Sequence, residues 1–362
     1  MLRRKKILFI HKMQFGYLTD VYKWCQYLRD DYDITVVSLN QSHEEICMPG
    51  INVVNVSART YLLRGILFLW NSIVQILKHK GVVFVVYFKE AYVFRLLFPF
   101  RKRMVLDIRT LSVSPQEEER RAYDERLKKC ASKYQYVTVI SNGVANKLNL
   151  LGANVGVIPL GASRSPVGGM NKSYLHLVYV GTLFNRRIEE TIDGLAIFKQ
   201  KNPNILIKYD IIGSGIYGEK ELLQERINKF GIQDCVKLRG HIPHNKITPY
   251  LEQANVGVSY VPITDYYDYQ PPTKTYEYIL SGLLCLATAT KSNEDIINED
   301  NGCLVEDNAE SFAKGLEVLM GRIETINREN IKDSLSGAEW SEIVNKKLKP
   351  IIENVYEGRS FV

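Results

Sequence analysis

Val82-Val83-Phe84-Val85-Val86-Tyr87-Phe88 is the longest unbroken apolar run in this 362-residue chain. Seven residues fall far short of the roughly 18 to 20 that a bilayer-spanning helix needs, and the β-branched and aromatic content favours a strand. A strand that is apolar on both faces needs cover on both, which a parallel sheet with helices on each side supplies. Working outward, short apolar runs at residues 6–11, 34–39, 51–56, 104–108, 136–140 and 155–159 alternate with helix-patterned stretches. Residues 162–173 are small and polar, carry Pro166 and Gly168-Gly169, and read as a linker. The alternation then restarts, with strands at 175–180, 205–212, 236–239, 256–260 and 284–287 and helices beginning near Ile188, Gly218, His244 and Thr273. From about Glu310 the pattern is helical and closes with residues 340–356. The expected architecture is α/β: two doubly wound domains facing across a cleft at the carboxyl ends of their strands. Their expected bounds are 1–165, joined by a C-terminal helix at 338–362, and 170–337.

Composition narrows the class. With 46% hydrophobic and 24% charged residues the chain is neither disordered, collagen-like nor a disulfide scaffold. Cys25, Cys47, Cys130, Cys235, Cys285 and Cys303 lie at least 18 residues apart with no C-x-x-C, which fits reduced thiols used as core filler. The four apolar residues after Met-Leu-Arg-Arg-Lys-Lys are too few for a secretory leader, so a cytoplasmic chain is expected. The net charge of +7 is local: residues 59–109 hold ten Lys/Arg against Glu90 and Asp107, and the remainder sums to −1. Interleaved with Leu, Phe and Trp, this excess suits an anionic lipid surface or an anionic substrate better than nucleic acid.

Gly213-Ser-Gly215-Ile-Tyr-Gly218 after a strand matches the dinucleotide fingerprint, yet the next strand ends in Arg239 and His241 where a ribose-binding acid is required. The remaining use is a glycine turn near a nucleotide or sugar phosphate. His241 and His244 could ligate a metal, but no Cys, Asp or Glu lies close in sequence to complete the site, so no metal centre is expected. Asp107-Ile-Arg109 sits at a strand end, where open α/β sheets place functional groups; a loop salt bridge is the other reading. Arg186 and Arg187 precede a helix and could face an anion, or lie solvated. The richest stretch is Tyr269-Gln-Pro-Pro-Thr273-Lys274-Thr-Tyr-Glu277-Tyr278-Ile-Leu-Ser-Gly282. Proline at a helix start leaves the following N–H groups, from Thr273 onward, and the helix dipole to meet an anion. Lys274 and Glu277 share a helix face, giving a cation for phosphate beside a carboxylate for a ribose diol; a surface ion pair is the plainer alternative.

In this combination the chain resembles the retaining, nucleotide-sugar-dependent glycosyltransferases of family four, of the bacterial surface-polysaccharide type. Their GT-B fold consists of two Rossmann-like domains. The resemblance runs over nearly the whole chain. It is carried by Tyr179-Val-Gly-Thr-Leu183 with Arg186-Arg187, Ile211-Ile-Gly-Ser-Gly215, Val236-Lys-Leu-Arg-Gly-His-Ile-Pro243, Ala254-Asn-Val-Gly-Val258 and Pro272-Thr-Lys274 through Glu277-Tyr278 and Gly282. Looser matches are Lys6-Ile-Leu-Phe-Ile-His11 with Gly16, Val139-Ile-Ser141 and Val157-Ile-Pro-Leu-Gly161. The resemblance implies a donor bound mainly by the second domain and an acceptor bound mainly by the first. It places Glu277 on the ribose, Arg186 on the pyrophosphate with Arg187 or Lys274 assisting, and Gly16 in a turn near donor and acceptor. Tyr269 stands where the family commonly has a sugar-reading glutamate, Thr182 where a basic residue often follows the glycine, and Asp107 where a histidine is usual.

The expected catalytic set is therefore Arg186, Lys274 and Asp107. The expected binding set is Glu277, Arg187, Gly16, Gly213, Gly215, Tyr269 and Thr273. No cofactor and no metal are expected; the nucleoside-diphosphate sugar is a substrate, and the acceptor a saccharide or lipid-linked saccharide of cell-surface polysaccharide or glycolipid synthesis. A catalytically silent binding subunit and a nucleotide-sugar epimerase on the same fold are the alternatives. Residues 61–78 read as a helix too widely apolar for one sheet contact, and Arg101-Lys102-Arg103 follow a bulky apolar stretch. Both point to a peripheral seat on the inner face of the cytoplasmic membrane.

Overall fold

The computed structural model describes residues 4–150, 152, 154–165, 172–243 and 246–361. The middle of the expected linker, including Gly168 and Gly169, and His244 lie outside the described residues. The chain forms two compact units, residues 1–160 with 340–362, and residues 161–339.

In the first unit β1 (Lys5–Ile10), β2 (Tyr32–Leu39), β3 (Ile51–Val56), β4 (Val82–Val86), β5 (Met104–Ile108), β6 (Tyr136–Val139) and β7 (Val155–Val157) make one sheet. Their order is β3-β2-β1-β4-β5-β6-β7, with every pairing parallel. Every residue of β4 is buried, as its two-faced apolar pattern requires. The C-terminal segment belongs to this unit. Helix Trp340–Ile343, a π-turn at Val344–Leu348 and helix Lys349–Glu357 place Trp340, Val344, Leu348 and Ile352 in one core with Phe9, Trp24 and Phe84. Tyr356 pins the segment to β1 by accepting from the Lys6 backbone N–H at 2.6 Å, and Tyr32 donates to Glu353 at 2.6 Å.

In the second unit β8 (Leu175–Val180), β9 (Ile207–Ile212), β10 (Val236–Gly240), β11 (Val256–Ser259), β12 (Leu284–Thr288) and β13 (Gly302–Val305) form a parallel sheet in the order β10-β9-β8-β11-β12-β13. Strand order reverses beside β1 in the first sheet and beside β8 in the second, the switch points at whose carboxyl ends ligands of such sheets bind. β13 carries no sequence signal: it has four residues and starts with a glycine. Strand β9 starts at Ile207, two residues after the expected start, and Leu206 before it is largely exposed. The cysteine expectation needs correcting. Cys25, Cys130 and Cys285 are buried filler, but Cys235 and Cys303 are half-buried and Cys47 is exposed.

Helix Tyr61–Lys78 buries only Phe68, Ser72 and Ile76, one residue per turn. Leu62, Ile66, Trp70 and Leu77 continue an apolar stripe on the outside, and all four are exposed.

Candidate functional site

Two of the helices that follow strands of the second unit carry the motifs singled out in the sequence. The first follows β9 through the glycine turn. Gly213 has φ +159°, and a Cβ there would lie 1.8 Å from the Gly181 carbonyl oxygen, so only glycine lets the turns after β8 and β9 touch. Helix Glu219–Phe230 then starts behind Gly218. The Ile216 and Tyr217 backbone N–H groups donate to the Glu219 carboxylate at 2.8 and 2.7 Å, which holds that carboxyl below its usual range despite some desolvation. A Cβ on Gly215 would strike the same carboxylate. The turn has thus supplied its own anion. Arg239 is likewise committed: its Nε donates to Asp210 at 2.6 Å, and Asp210 also bonds His176 Nε2 at 2.7 Å, tying β10, β9 and β8 together.

The second is helix Thr273–Leu280, which begins behind Pro272 with no side-chain cap. Its inner face is fixed: Thr275 shares a hydrogen bond with Ser259 at 2.7 Å and donates to Asn293 at 2.9 Å, and the Tyr278 hydroxyl accepts from Val180 N–H at 2.8 Å. Lys274 therefore has a set direction. Its Nζ is buried without a hydrogen-bond partner, 3.9 Å from the centre of the Tyr179 ring and beside Gly181. Desolvation, and then the charge of Arg186, push the amine down to about 7 from the usual 10.5. Glu277, half-buried one turn on, acts in the opposite sense on the same amine.

Arg186 lies in the loop after β8, half-buried, its guanidinium 4.5 Å from the centre of the Tyr267 ring. Its Nη1 donates to the Asn185 carbonyl at 3.2 Å and to the Tyr267 hydroxyl. No carboxylate holds it among the described ion pairs. Arg187, at φ +52°, turns the other way and pairs with Glu190 at 2.6 Å and Asp307 at 3.2 Å. Arg186, Lys274 and Glu277 are thus brought together, with Thr273 and the half-buried Tyr269 on the same helix start and its approach, while Arg187 is spent elsewhere. Asp268 caps a neighbouring helix through the Lys291 N–H at 2.7 Å. Among the described residues no group of three or more His, Cys, Asp or Glu could hold a metal ion. The roles of Tyr179 and Tyr267, against whose rings Lys274 and Arg186 lie, escaped the sequence reading, because nothing in local spacing distinguishes a tyrosine that seats a basic side chain from one that fills a core.

Asp107 and Gly16 belong to the first unit. Asp107, fully buried at the end of β5, accepts from Thr138 at 2.7 Å and faces Arg109 at 3.9 Å; burial pushes its carboxyl up to about 6. Arg109 is clamped by Asp20 at 2.9 and 3.2 Å and by the Ile158 carbonyl at 2.6 Å. Asp107 is thus enclosed between Thr138 and Arg109 in the interior of the first unit. Gly16 takes φ +94° in the loop after β1, with the Ile46 side chain occupying the space a Cβ would need. Of the basic cluster, Arg101 is structural: it donates to the Ile76 and His79 carbonyls at 3.0 and 2.6 Å and closes helix Tyr61–Lys78. Arg95 likewise donates to the carbonyls of Pro99, Arg101 and Lys133. Arg59, Lys78, Lys80, Lys102 and Arg103 are exposed, Arg103 lying over the Tyr356 ring.

Two doubly wound parallel sheets, the second with Arg186 and Lys274 beside an uncapped helix start, define a two-domain α/β protein. Residues 175–322 match the family described as Glycosyl transferases group 1, and residues 6–108 match the one described as Glycosyl transferase 4-like. The fold is shared with solved structures over almost the whole chain. Sucrose-phosphate synthase from Thermosynechococcus elongatus aligns at 15% identity and TM-score 0.76, covering 98% of this chain and 100% of the other. Anabaena HepE, solved in complex with UDP and glucose, aligns at 14% and 0.69 over 97% and 100%. WaaG, a glycosyltransferase involved in lipopolysaccharide biosynthesis, aligns at 14% and 0.66 over 97% and 100%. No curated protein gives a significant sequence match. The chain is a glycosyltransferase-type protein of GT-B fold, with a glycosyltransferase match in each unit.

Proposed function

We propose that the protein transfers a sugar, with retention, from a nucleoside-diphosphate sugar held by the second unit to a saccharide or lipid-linked saccharide acceptor in cell-surface polysaccharide or glycolipid synthesis. One observation carries the donor assignment: Arg186 and Lys274 are placed side by side at an uncapped helix start with Glu277 one turn along, and neither cation is paired to a carboxylate among the described ion pairs. The diphosphate lies against the two cations and the first N–H groups of helix Thr273–Leu280, and the ribose diol bonds Glu277. As the anomeric C–O bond breaks, negative charge grows on the leaving phosphate, where Arg186 and the helix dipole stabilise it. A phosphate oxygen then accepts the acceptor hydroxyl's proton, so no separate side-chain base is needed. Two cations supply the charge that a metal supplies elsewhere, and turnover is expected to be metal-independent. Binding of UDP, GDP and ADP followed by thermal shift, with and without chelator, tests this: a nucleoside diphosphate should raise Tm equally in both. Loss of the shift on chelation would refute the cation account.

The acceptor side of the proposal is a lipid surface. No helix of the described residues is long and apolar enough to cross a membrane. The exposed stripe Leu62, Ile66, Trp70 and Leu77, with Leu96, Leu97 and the almost fully exposed Phe100, suits the interfacial zone instead. Between Glu45 and Asp107 the only acid is Glu90, and it is paired with Lys12 at 2.5 Å, so Lys78, Lys80, Lys102 and Arg103 meet anionic headgroups unopposed. The protein should sediment with anionic liposomes at low salt and be released at high salt. Because Arg101 holds the fold, the informative variants are Lys102→Ser with Arg103→Ser and, separately, Ile66→Asp with Trp70→Asp. Equal sedimentation of both variants, or equal binding to neutral liposomes, would exclude the lipid surface.

A further inference from the structure

The surroundings of Lys274 suit an amine better than an ammonium ion. An ammonium has three donors and a strong demand for water or acceptors. Here Nζ is buried with no acceptor, its nearest partner the face of Tyr179. The ionisable groups around it are few. Strand β8 brings Tyr179, the loop after it Arg186 with Tyr267 stacked beyond, β12 brings Cys285, and the helix itself Glu277 and Tyr278. Strand β11, packed on the same helix, carries no ionisable side chain. Helix Arg328–Asp333 also packs there, but Arg328 is bonded to the Glu252 and Ala254 carbonyls and Lys332 to Glu329. A second positive charge at Nζ is therefore opposed by burial and then by Arg186, while Cys285, Glu277 and the face of the Tyr179 ring act the other way more weakly.

We propose that in the free protein Lys274 rests as a neutral amine on the Tyr179 ring and takes up one proton as a diphosphate binds beside Arg186. The inference rests on the donor-site reading above and adds a linked proton to it. The chemistry is an acid–base step only: a solvent proton adds to the Nζ lone pair, and the resulting ammonium, on its flexible four-carbon stem, leaves the ring and donates to phosphate oxygens. The depression of the free amine to about 7 agrees with this geometry. A diphosphate supplies what the free site lacks, a compact negative charge and several acceptors, so the bound state favours the ammonium. Affinity should then fall as pH rises above about 7, by roughly tenfold per pH unit, until the pKa of the bound form is reached.

The test is calorimetric titration of the intact protein with UDP at pH 8, where the diphosphate is fully ionised, in two buffers of different ionisation enthalpy. Wild type should take up close to one proton per UDP bound, and affinity should fall about tenfold between pH 7.5 and pH 8.5. Lys274→Arg, permanently charged, should bind UDP with no proton uptake; Lys274→Met should bind more weakly, again with none. Buffer-independent binding by wild type at pH 8 would overturn the proposal without needing any variant to fold. Uptake that persists in both variants would overturn it too. If no nucleoside diphosphate among UDP, GDP and ADP binds wild type, the donor reading falls with it; binding without uptake removes this inference alone.

Discussion

Two of the helices that start after strand ends in the second unit, Glu219–Phe230 and Thr273–Leu280, differ in what already occupies them. The turn Gly213–Gly218 has the more conspicuous lettering, but its free N–H groups at Ile216 and Tyr217 are filled by Glu219 from the following helix. The start of helix Thr273–Leu280 has no glycine fingerprint, yet it is uncapped and flanked by Arg186 and Lys274. A glycine motif describes how closely a backbone can approach a phosphate; whether a phosphate is needed depends on the charge left unanswered. The same contrast separates the two buried ionisable groups. Asp107 has Thr138 and Arg109 as partners, whereas Lys274 has a ring face and the charge of Arg186 nearby.

The largest effect expected from that contrast is on turnover. Arg186→Ala should lower kcat by about 100- to 1000-fold with a smaller change in KM, because diphosphate charge develops as the bond breaks. Equal losses in both parameters would make Arg186 a ground-state contact. Next, Glu277→Ala should weaken binding of the bare nucleoside diphosphate by about 1.5 to 3 kcal/mol, as expected for lost hydrogen bonds to a charged group. Unchanged affinity in a folded variant would remove the ribose assignment.

Asp107 offers a prediction of the opposite kind, on stability. Its folded carboxyl is raised from 3.8 to about 6, so the unfolded chain ionises first and wild type loses stability as pH rises from about 4 to 6. Asp107→Asn escapes this loss and should be more stable than wild type by about 1 to 3 kcal/mol at pH 7.5, the advantage shrinking toward pH 4. Denaturant titrations at several pH values measure it, and a pH-independent difference would show that the carboxyl is not the group responsible. Smallest of all, Glu219→Ala should cost roughly 1 kcal/mol of stability, the usual loss of a helix N-terminal partner, and leave nucleotide affinity within about twofold. A rise in affinity would mean that the glycine turn competes for the phosphate.

The strand pattern was legible because buried parallel strands are written as contiguous apolar runs: β3, β5 and β8 fall at the residues the sequence indicates. Strand β13 was not, since Gly302-Cys-Leu-Val305 owes its strand form to pairing with β12. Within the site, Lys274 and Glu277 could be placed on one helix face from their spacing alone. That Arg186 and Arg187 would part company could not, because their separation depends on Asn185 and Arg187 both adopting left-handed backbone and on Asp307, 120 residues away, receiving Arg187. Glu219 was readable in principle, as an acid one residue beyond the glycine turn and within reach of its N–H groups.

Hydrogen–deuterium exchange of the intact protein with and without saturating UDP tests the central claim most directly. Protection should be strongest at residues 179–187 and 269–280, with little change across 214–219, where Glu219 already satisfies the backbone. Protection concentrated at 214–219, with 269–280 unchanged, would contradict it.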